Sequence, residues 1–175
     1  MKKIFITGVA GSGKTAVSRV LNALGYKAYD IEDGEHGLFM MVRKDTGERY
    51  VDFDNADMEK LNNANWICDL EKLRDFISKQ IEEVVFYCGI AHNNEEIMSL
   101  FDKSMLLRAD PEVITTRLLT REGTDDYANT ETGRQRVLSY KDEFEERMIR
   151  KGMIAVDANP DSETIARDII NLASI

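Results

Sequence analysis

Along this chain, short apolar runs rich in β-branched and aromatic residues alternate with longer stretches whose apolar positions recur every three or four residues. The short runs predict strands at residues 3 to 7, 26 to 30, 83 to 88, 104 to 108 and 152 to 156. The longer stretches predict helices at 14 to 24, 69 to 80, 94 to 101, 111 to 121, 134 to 150 and 162 to 173. Such alternation is the pattern of a parallel sheet covered by helices. Val84-Val85-Phe86-Tyr87 is apolar throughout, as a strand buried on both faces should be, whereas Tyr26-Lys27-Ala28-Tyr29 carries a lysine and is expected at an edge. Two stretches break the rhythm. Residues 31 to 65, with Gly34, Gly37, Gly47 and many acids, are too long for a simple connection and are expected to be a substrate-binding insertion. Residues 122 to 133 are polar, follow a helix with two arginines, and are expected to be a lid.

Composition narrows the partners. At 175 residues, the chain is expected to be a single domain, 1 to 175, with enough buried surface to fold without help. No apolar run approaches the roughly 20 residues of a membrane helix, so no membrane role is expected. Met1-Lys2-Lys3 could open a secretory signal, but the apolar run that follows breaks at Gly8. Cys68 and Cys88 cannot make a disulfide framework, and a reducing cytoplasm fits best. The net charge of −9 repels nucleic acid on average, so the expected partner is small.

The chemistry begins at Gly8-Val9-Ala10-Gly11-Ser12-Gly13-Lys14-Thr15, a full G-x-x-x-x-G-K-[ST] match placed after one expected strand and before one expected helix. In such a loop the glycines let successive backbone N–H groups converge on phosphate oxygens, and the helix N-terminus adds positive potential. Gly8, Gly11, Ser12, Gly13, Lys14 and Thr15 are therefore expected to bind ATP, with Lys14 on the β and γ phosphates and the Thr15 hydroxyl on Mg2+. The switch-GTPase strings Asp-x-x-Gly and Asn-Lys-x-Asp are both missing from the sequence. The third expected strand ends Phe86-Tyr87-Cys88-Gly89 without a carboxylate, so Mg2+ must draw on another acid. Asp30-Ile31-Glu32-Asp33 supplies it at the carboxyl end of the second strand, where open parallel sheets bind ligands, and Asp30 and Glu32 share one side of an extended segment.

With these residues in view, the chain resembles the small P-loop kinases, a group that includes nucleoside monophosphate kinases and shikimate-kinase-like proteins. Asp30-Ile31-Glu32 resembles the Asp-x-Asp of the shikimate-kinase branch, which implies that Asp30 helps organise Mg2+ and that Glu32 approaches the acceptor. Asp102 to Pro111, followed by Arg117 and Arg121, looks like the group's fourth strand and its arginine-bearing helix before a lid. Val156-Asp157-Ala158-Asn159-Pro160 resembles the late loop around the adenine, which implies nucleotide contacts for Ala158, Asn159 and Pro160. The fold implied is a three-layer P-loop NTPase domain with a five-stranded parallel sheet in the order 2-3-1-4-5.

The expected activity is transfer of the ATP γ-phosphoryl group to a small molecule, with Glu32 or Asp33 orienting the acceptor and Arg117 and Arg121 closing on developing charge. The alternative is a switch ATPase that acts on a macromolecular partner through the insertion. Several residues have a plainer reading beside the functional one. Arg117 and Arg121 also suit a helix C-terminus, and Asp30 and Glu32 also suit an exposed strand end. His92-Asn93-Asn94 reads as an acceptor contact or as a helix cap before Glu95 and Glu96. Arg43, Lys44 and Arg49 read as an anion site or a solvated face, Trp66 as a core anchor ahead of a helix or a stacking surface, and His36 as a loop histidine.

Overall fold

The apolar run near the N-terminus forms β1 (Lys2–Thr7), and the run Val84–Cys88 forms β5 beside it, parallel, with Lys2 opposite Val84 and Ile6 opposite Cys88. The computed structural model describes residues 1–54, 57–120, 128 and 130–173. It extends the sheet on both sides of this pair: β2 (Lys27–Asp30) joins β5, β6 (Lys103–Arg108) joins β1, and β7 (Ile154–Asp157) joins β6, all parallel. β2 therefore lies at an edge, as its lysine predicts. The five expected strands are present and their spatial order is β2-β5-β1-β6-β7. The label 2-3-1-4-5 has to be rewritten as 2-5-1-6-7, because two further strands form between the second and third expected ones, one inside the 31 to 65 insertion and one across its end.

Those strands are β3 (Phe39–Arg43) and β4 (Ala64–Cys68), an antiparallel pair running from Phe39 opposite Cys68 to Arg43 opposite Ala64. Phe39-Met40-Met41-Val42 is an apolar run, but Gly37 and Lys44-Asp45 bracket it closely and its partner lies more than twenty residues away. After β3 the chain turns through Gly47, whose φ of 72° is the left-handed conformation that favours glycine, and Tyr50 donates its N–H to Met41 at 2.8 Å. Helix α2 (Met58–Asn62) then leads into β4, with Asp57 capping the amides of Glu59 and Lys60. Trp66 lies in this strand, ahead of the helix that begins at Leu70.

Helices α1 (Lys14–Ala23), α3 (Leu70–Ser78), α4 (Asn94–Met98), α5 (Pro111–Leu119), α6 (Glu131–Arg150) and α7 (Ser162–Ala173) complete a three-layer arrangement. Tyr29, Tyr87 and Phe5 are neighbours in register across β2, β5 and β1 and so share one sheet face. Phe76 of α3 and Phe101 cover that face, at ring distances of 4.9 Å from Tyr29 and 5.1 Å from Tyr87. His36 packs on Phe76 at 5.0 Å, which makes it part of this aromatic layer. α6 begins three residues earlier than predicted, because Thr130 caps it by accepting from the Gly133 N–H. The end of the expected lid is thus helical, and the rest of it, 122–127 and 129, lies outside the described residues, as does Arg121. Among the described residues no helix is long and apolar enough to cross a membrane.

The β3–β4 hairpin is tied to the main sheet by the turn after β5, through His92, Asn93 and Asn94. Asn93 makes no capping bond to α4. Its side-chain amide instead accepts from the Cys68 N–H and donates to the Cys68 carbonyl, both at 3.0 Å, in the manner of a neighbouring strand. His92 N–H donates to the Trp66 carbonyl at 2.8 Å, and His92 Nδ1 accepts from the Trp66 N–H at 3.0 Å. Asn94, fully buried, takes the Ala91 N–H and donates to the Thr7 hydroxyl, which fixes the turn to β1. Asn93→Ala would leave both Cys68 backbone groups unpaired at about 1–3 kcal/mol for a buried polar group. A fall of that order in urea-unfolding stability is expected, with faster hydrogen exchange at the Cys68 amide.

Candidate functional site

The loop between β1 and α1 turns on Gly11 (φ 81°) and Gly13 (φ 105°). Gly8 is needed for space instead, since a Cβ there would sit 2.5 Å from Ser12 Oγ and 2.9 Å from the Leu107 carbonyl. Ser12 is fully buried and its hydroxyl has no hydrogen-bond partner among the described residues, the kind of unsatisfied polar atom that functional loops carry. The Lys14 ammonium is nearly buried and donates to the Gly8 carbonyl at 2.8 Å and the Val9 carbonyl at 3.4 Å.

The acids after β2 meet this loop. Thr15 Oγ1 donates to Asp30 Oδ2 at 2.7 Å, and the Glu32 N–H donates to Asp30 Oδ1 at 3.3 Å. Glu32 Oε1 lies 3.9 Å from Lys14 Nζ and accepts from the Ile90 N–H at 3.1 Å, while Oε2 accepts from Trp66 Nε1 at 3.3 Å. Its side chain keeps 26% of its surface open to the cleft. The surrounding protein mass nevertheless pushes its carboxyl above the ordinary carboxylate value, Lys14 opposes that shift, and Asp30 adds to it. Asp33 points its carboxylate at the Glu35 N–H and caps the short turn Gly34–His36. Asp30 and Glu32 are thus engaged with the loop, not merely an exposed strand end.

Thr15 and Asp30 together offer a hydroxyl and a carboxylate beside the phosphate loop, hard oxygen donors of the kind Mg2+ takes alongside substrate phosphates and water. That donor set fits the ion.

Arg117 in the last turn of α5 reaches across the loop. Its guanidinium donates to the carbonyls of Ser12 (3.3 Å), Ala158 (2.8 Å) and Pro160 (2.9 Å). It therefore braces the phosphate loop against the segment after β7, and burial lowers its pKa. Ala158 is buried, with its N–H on the Arg108 carbonyl at 2.7 Å, and Asn159 Oδ1 accepts from the Asp110 N–H at 2.8 Å. These contacts hold the 157–160 loop at the same end of the sheet as the phosphate loop.

A cleft of about 1950 Å3 runs from this loop, past Asp30 and Glu32, to Met41 and Trp66 on the hairpin, with α6 along its side. Trp66 stacks on Phe39 at 5.5 Å and is only half-buried, so it forms a wall of the cleft. The insertion's cations lie elsewhere: Arg43 sits over the Tyr50 ring at 4.1 Å and 3.4 Å from Asp52, Lys44 donates to the Asn62 carbonyl, and Arg49 is exposed. Beside Lys14 and Arg117, the cleft is lined by Arg19 of α1 and by Arg136 and Arg147 of α6. Arg136 donates to Asn62 Oδ1 at 2.9 Å. The sequence signal for them is spacing, since 136, 140, 143 and 147 follow a helical period on one face and all line the cleft. Burial and the charges of Lys44, Arg136 and Arg147 hold His92 below the usual imidazole pKa.

A match to the AAA domain family covers residues 4–136. No match is found among curated proteins. Among solved structures, shikimate kinase from Acinetobacter baumannii in complex with shikimate is similar at 17% identity and a TM-score of 0.62, over 98% of this chain and 92% of that one. Deoxyadenosine kinase from M. mycoides with bound dATP is similar at 16% identity and a TM-score of 0.62, over 99% of this chain and 100% of that one. A sugar kinase from Janibacter sp. HTCC2649 is similar at 14% identity and a TM-score of 0.55, over 100% of this chain and 95% of that one. These identities speak to fold.

Proposed function

The chain belongs to the AAA domain family, and on that premise we propose that it is a small-molecule kinase that transfers the γ-phosphoryl group of ATP to an acceptor held against the β3–β4 hairpin. The observation that carries this reading is the convergence of two pairs, Thr15 with Asp30 and Lys14 with Glu32, where the phosphate loop opens into the cleft. The three kinases similar in fold support it, and their different acceptors leave open which molecule is phosphorylated here.

The roles follow from position. The loop amides and Lys14 hold the phosphates, and Arg117 keeps the loop and the 157–160 segment in one geometry. Thr15 and Asp30 would hold Mg2+, which neutralises phosphate charge when bound. Glu32 faces the acceptor with its carboxylate fixed by two N–H groups, and so orients the attacking hydroxyl and receives its proton. Asp33 is turned to the Glu35 amide, which leaves this work to Glu32. Phosphoryl transfer asks for little more than such positioning and charge neutralisation. Asp30→Asn, which keeps an oxygen for the Thr15 hydroxyl, should raise the half-saturating Mg2+ concentration by at least about tenfold, since even a group that only supports a metal's ligands is worth that much. Screening a panel of nucleosides, nucleotides, sugars and small acids for acceptor-dependent ADP formation tests the whole reading. ATP turnover that no small molecule stimulates would overturn it.

A further inference from the structure

We propose that Trp66 is a positioning residue for the transfer step, the contact through which the β3–β4 hairpin aims the Glu32 carboxylate at the acceptor. The inference rests on the kinase reading above and extends it to a residue outside the phosphate loop and the strand-two acids.

Trp66 is fixed at both ends. Its N–H and carbonyl are each bonded to His92, and its ring is stacked on Phe39. The indole N–H is then aimed at Glu32 Oε2, 34 positions away in sequence, in the turn that follows β2 of the other sheet. Glu32 itself projects from the segment after β2 and, among the described residues, receives one other hydrogen bond on its carboxylate, from the Ile90 N–H to Oε1. One donor alone leaves the carboxylate free to swing about that bond. Two donors, one on each oxygen, fix its plane, and roughly two of its four lone-pair sites remain for an acceptor hydroxyl. Lys14 lies 3.9 Å from Oε1, on the phosphate side. The carboxylate thus stands between the cation that meets the phosphates and the indole that walls the acceptor space. Losing the indole donor should loosen a group whose value depends on alignment, and alignment is what proximity catalysis rewards.

Trp66→Phe keeps the stacking on Phe39 and removes only the donor. The expected result is a fall in acceptor-dependent kcat of roughly tenfold to hundredfold, the worth of one hydrogen bond to a charged group, with KM for ATP unchanged. Unchanged ATP affinity also shows that the variant is folded. Because Trp66 acts through Glu32, the double variant W66F/E32Q should be no slower than E32Q alone. A rise in acceptor KM with kcat intact would overturn the inference and leave Trp66 as a stacking wall. Equal loss from W66F on the wild-type and E32Q backgrounds would overturn it too. Trp66 is the chain's one tryptophan, so fluorescence gives a readout that needs no acceptor. Glu32→Ala should shift the Trp66 emission of the free protein, and unchanged emission would sink the coupling even if the kinase reading stands. A shifted emission in a protein that no acceptor stimulates would sink the kinase reading and, with it, the proposed role in transfer.

Discussion

Glu32→Gln should lower acceptor-dependent phosphoryl transfer by about 10² to 10⁴, the usual worth of a positioned base. The substitution keeps the side chain's length and branching, so the loss reports chemistry and not packing. Both carboxylate oxygens accept an N–H in the native site, from Ile90 and from Trp66. An amide has one oxygen and one NH2, so in either orientation it meets one of those donors with another donor. The substituted side chain would therefore be unable to take the acceptor's proton and would also be turned out of the native plane. Transfer through a loose transition state needs less help from a base and places the effect toward the lower end of the range. ATP binding should be spared, since the loop glycines, Thr15 and Asp30 are untouched. Single-turnover transfer measured beside the ATP dissociation constant separates the two, and a variant with wild-type transfer would remove Glu32 from the mechanism.

Lys14→Ala should reduce turnover by about 10² to 10³, the loss seen when one preorganised donor to a developing charge is deleted. The Lys14 ammonium already sits at the loop, on the Gly8 and Val9 carbonyls, within reach of the space the loop encloses. On the proposed reading, a shift from those carbonyls to phosphate oxygens would need only side-chain rotation. The same deletion leaves Glu32 without its cation, so weaker ATP affinity and slower transfer are expected together. Calorimetric titration with ATP and a thermal melt distinguish a folded, non-binding protein from an unfolded one. A folded variant with full activity would contradict the role given to the loop.

How much of this was legible in the sequence depended on how local each feature is. The phosphate loop is specified by eight adjacent residues, and its place between β1 and α1 follows from the periodicity on either side. Strand composition placed β5 in the interior and β2 at the edge for the same local reason. The hairpin was missed because its pairing is not local: β3 finds its partner in β4, and the far edge of β4 is satisfied by the side chains of His92 and Asn93. No local pattern tells an asparagine that pairs with a distant strand from one that caps the next helix. The cleft arginines were missed for a different reason. Arg136 and Arg147 carry a readable helical spacing, but which face of α6 meets the cleft is decided by tertiary packing.

The Asn93 staple has an evolutionary consequence. It grips the main chain of Cys68, and His92 grips the main chain of Trp66, so the attachment of the hairpin is indifferent to most of the side chains the hairpin displays. On the kinase reading proposed above, side chains on the wall that would face the acceptor could be replaced while its mooring and the phosphate loop stay as they are. An interchangeable wall on a constant engine is a route by which one ancestral scaffold diversifies its clientele. Libraries randomised at Met41, Phe53 and Met58, which line the cleft, should accordingly yield many folded proteins, among which new acceptors can be sought.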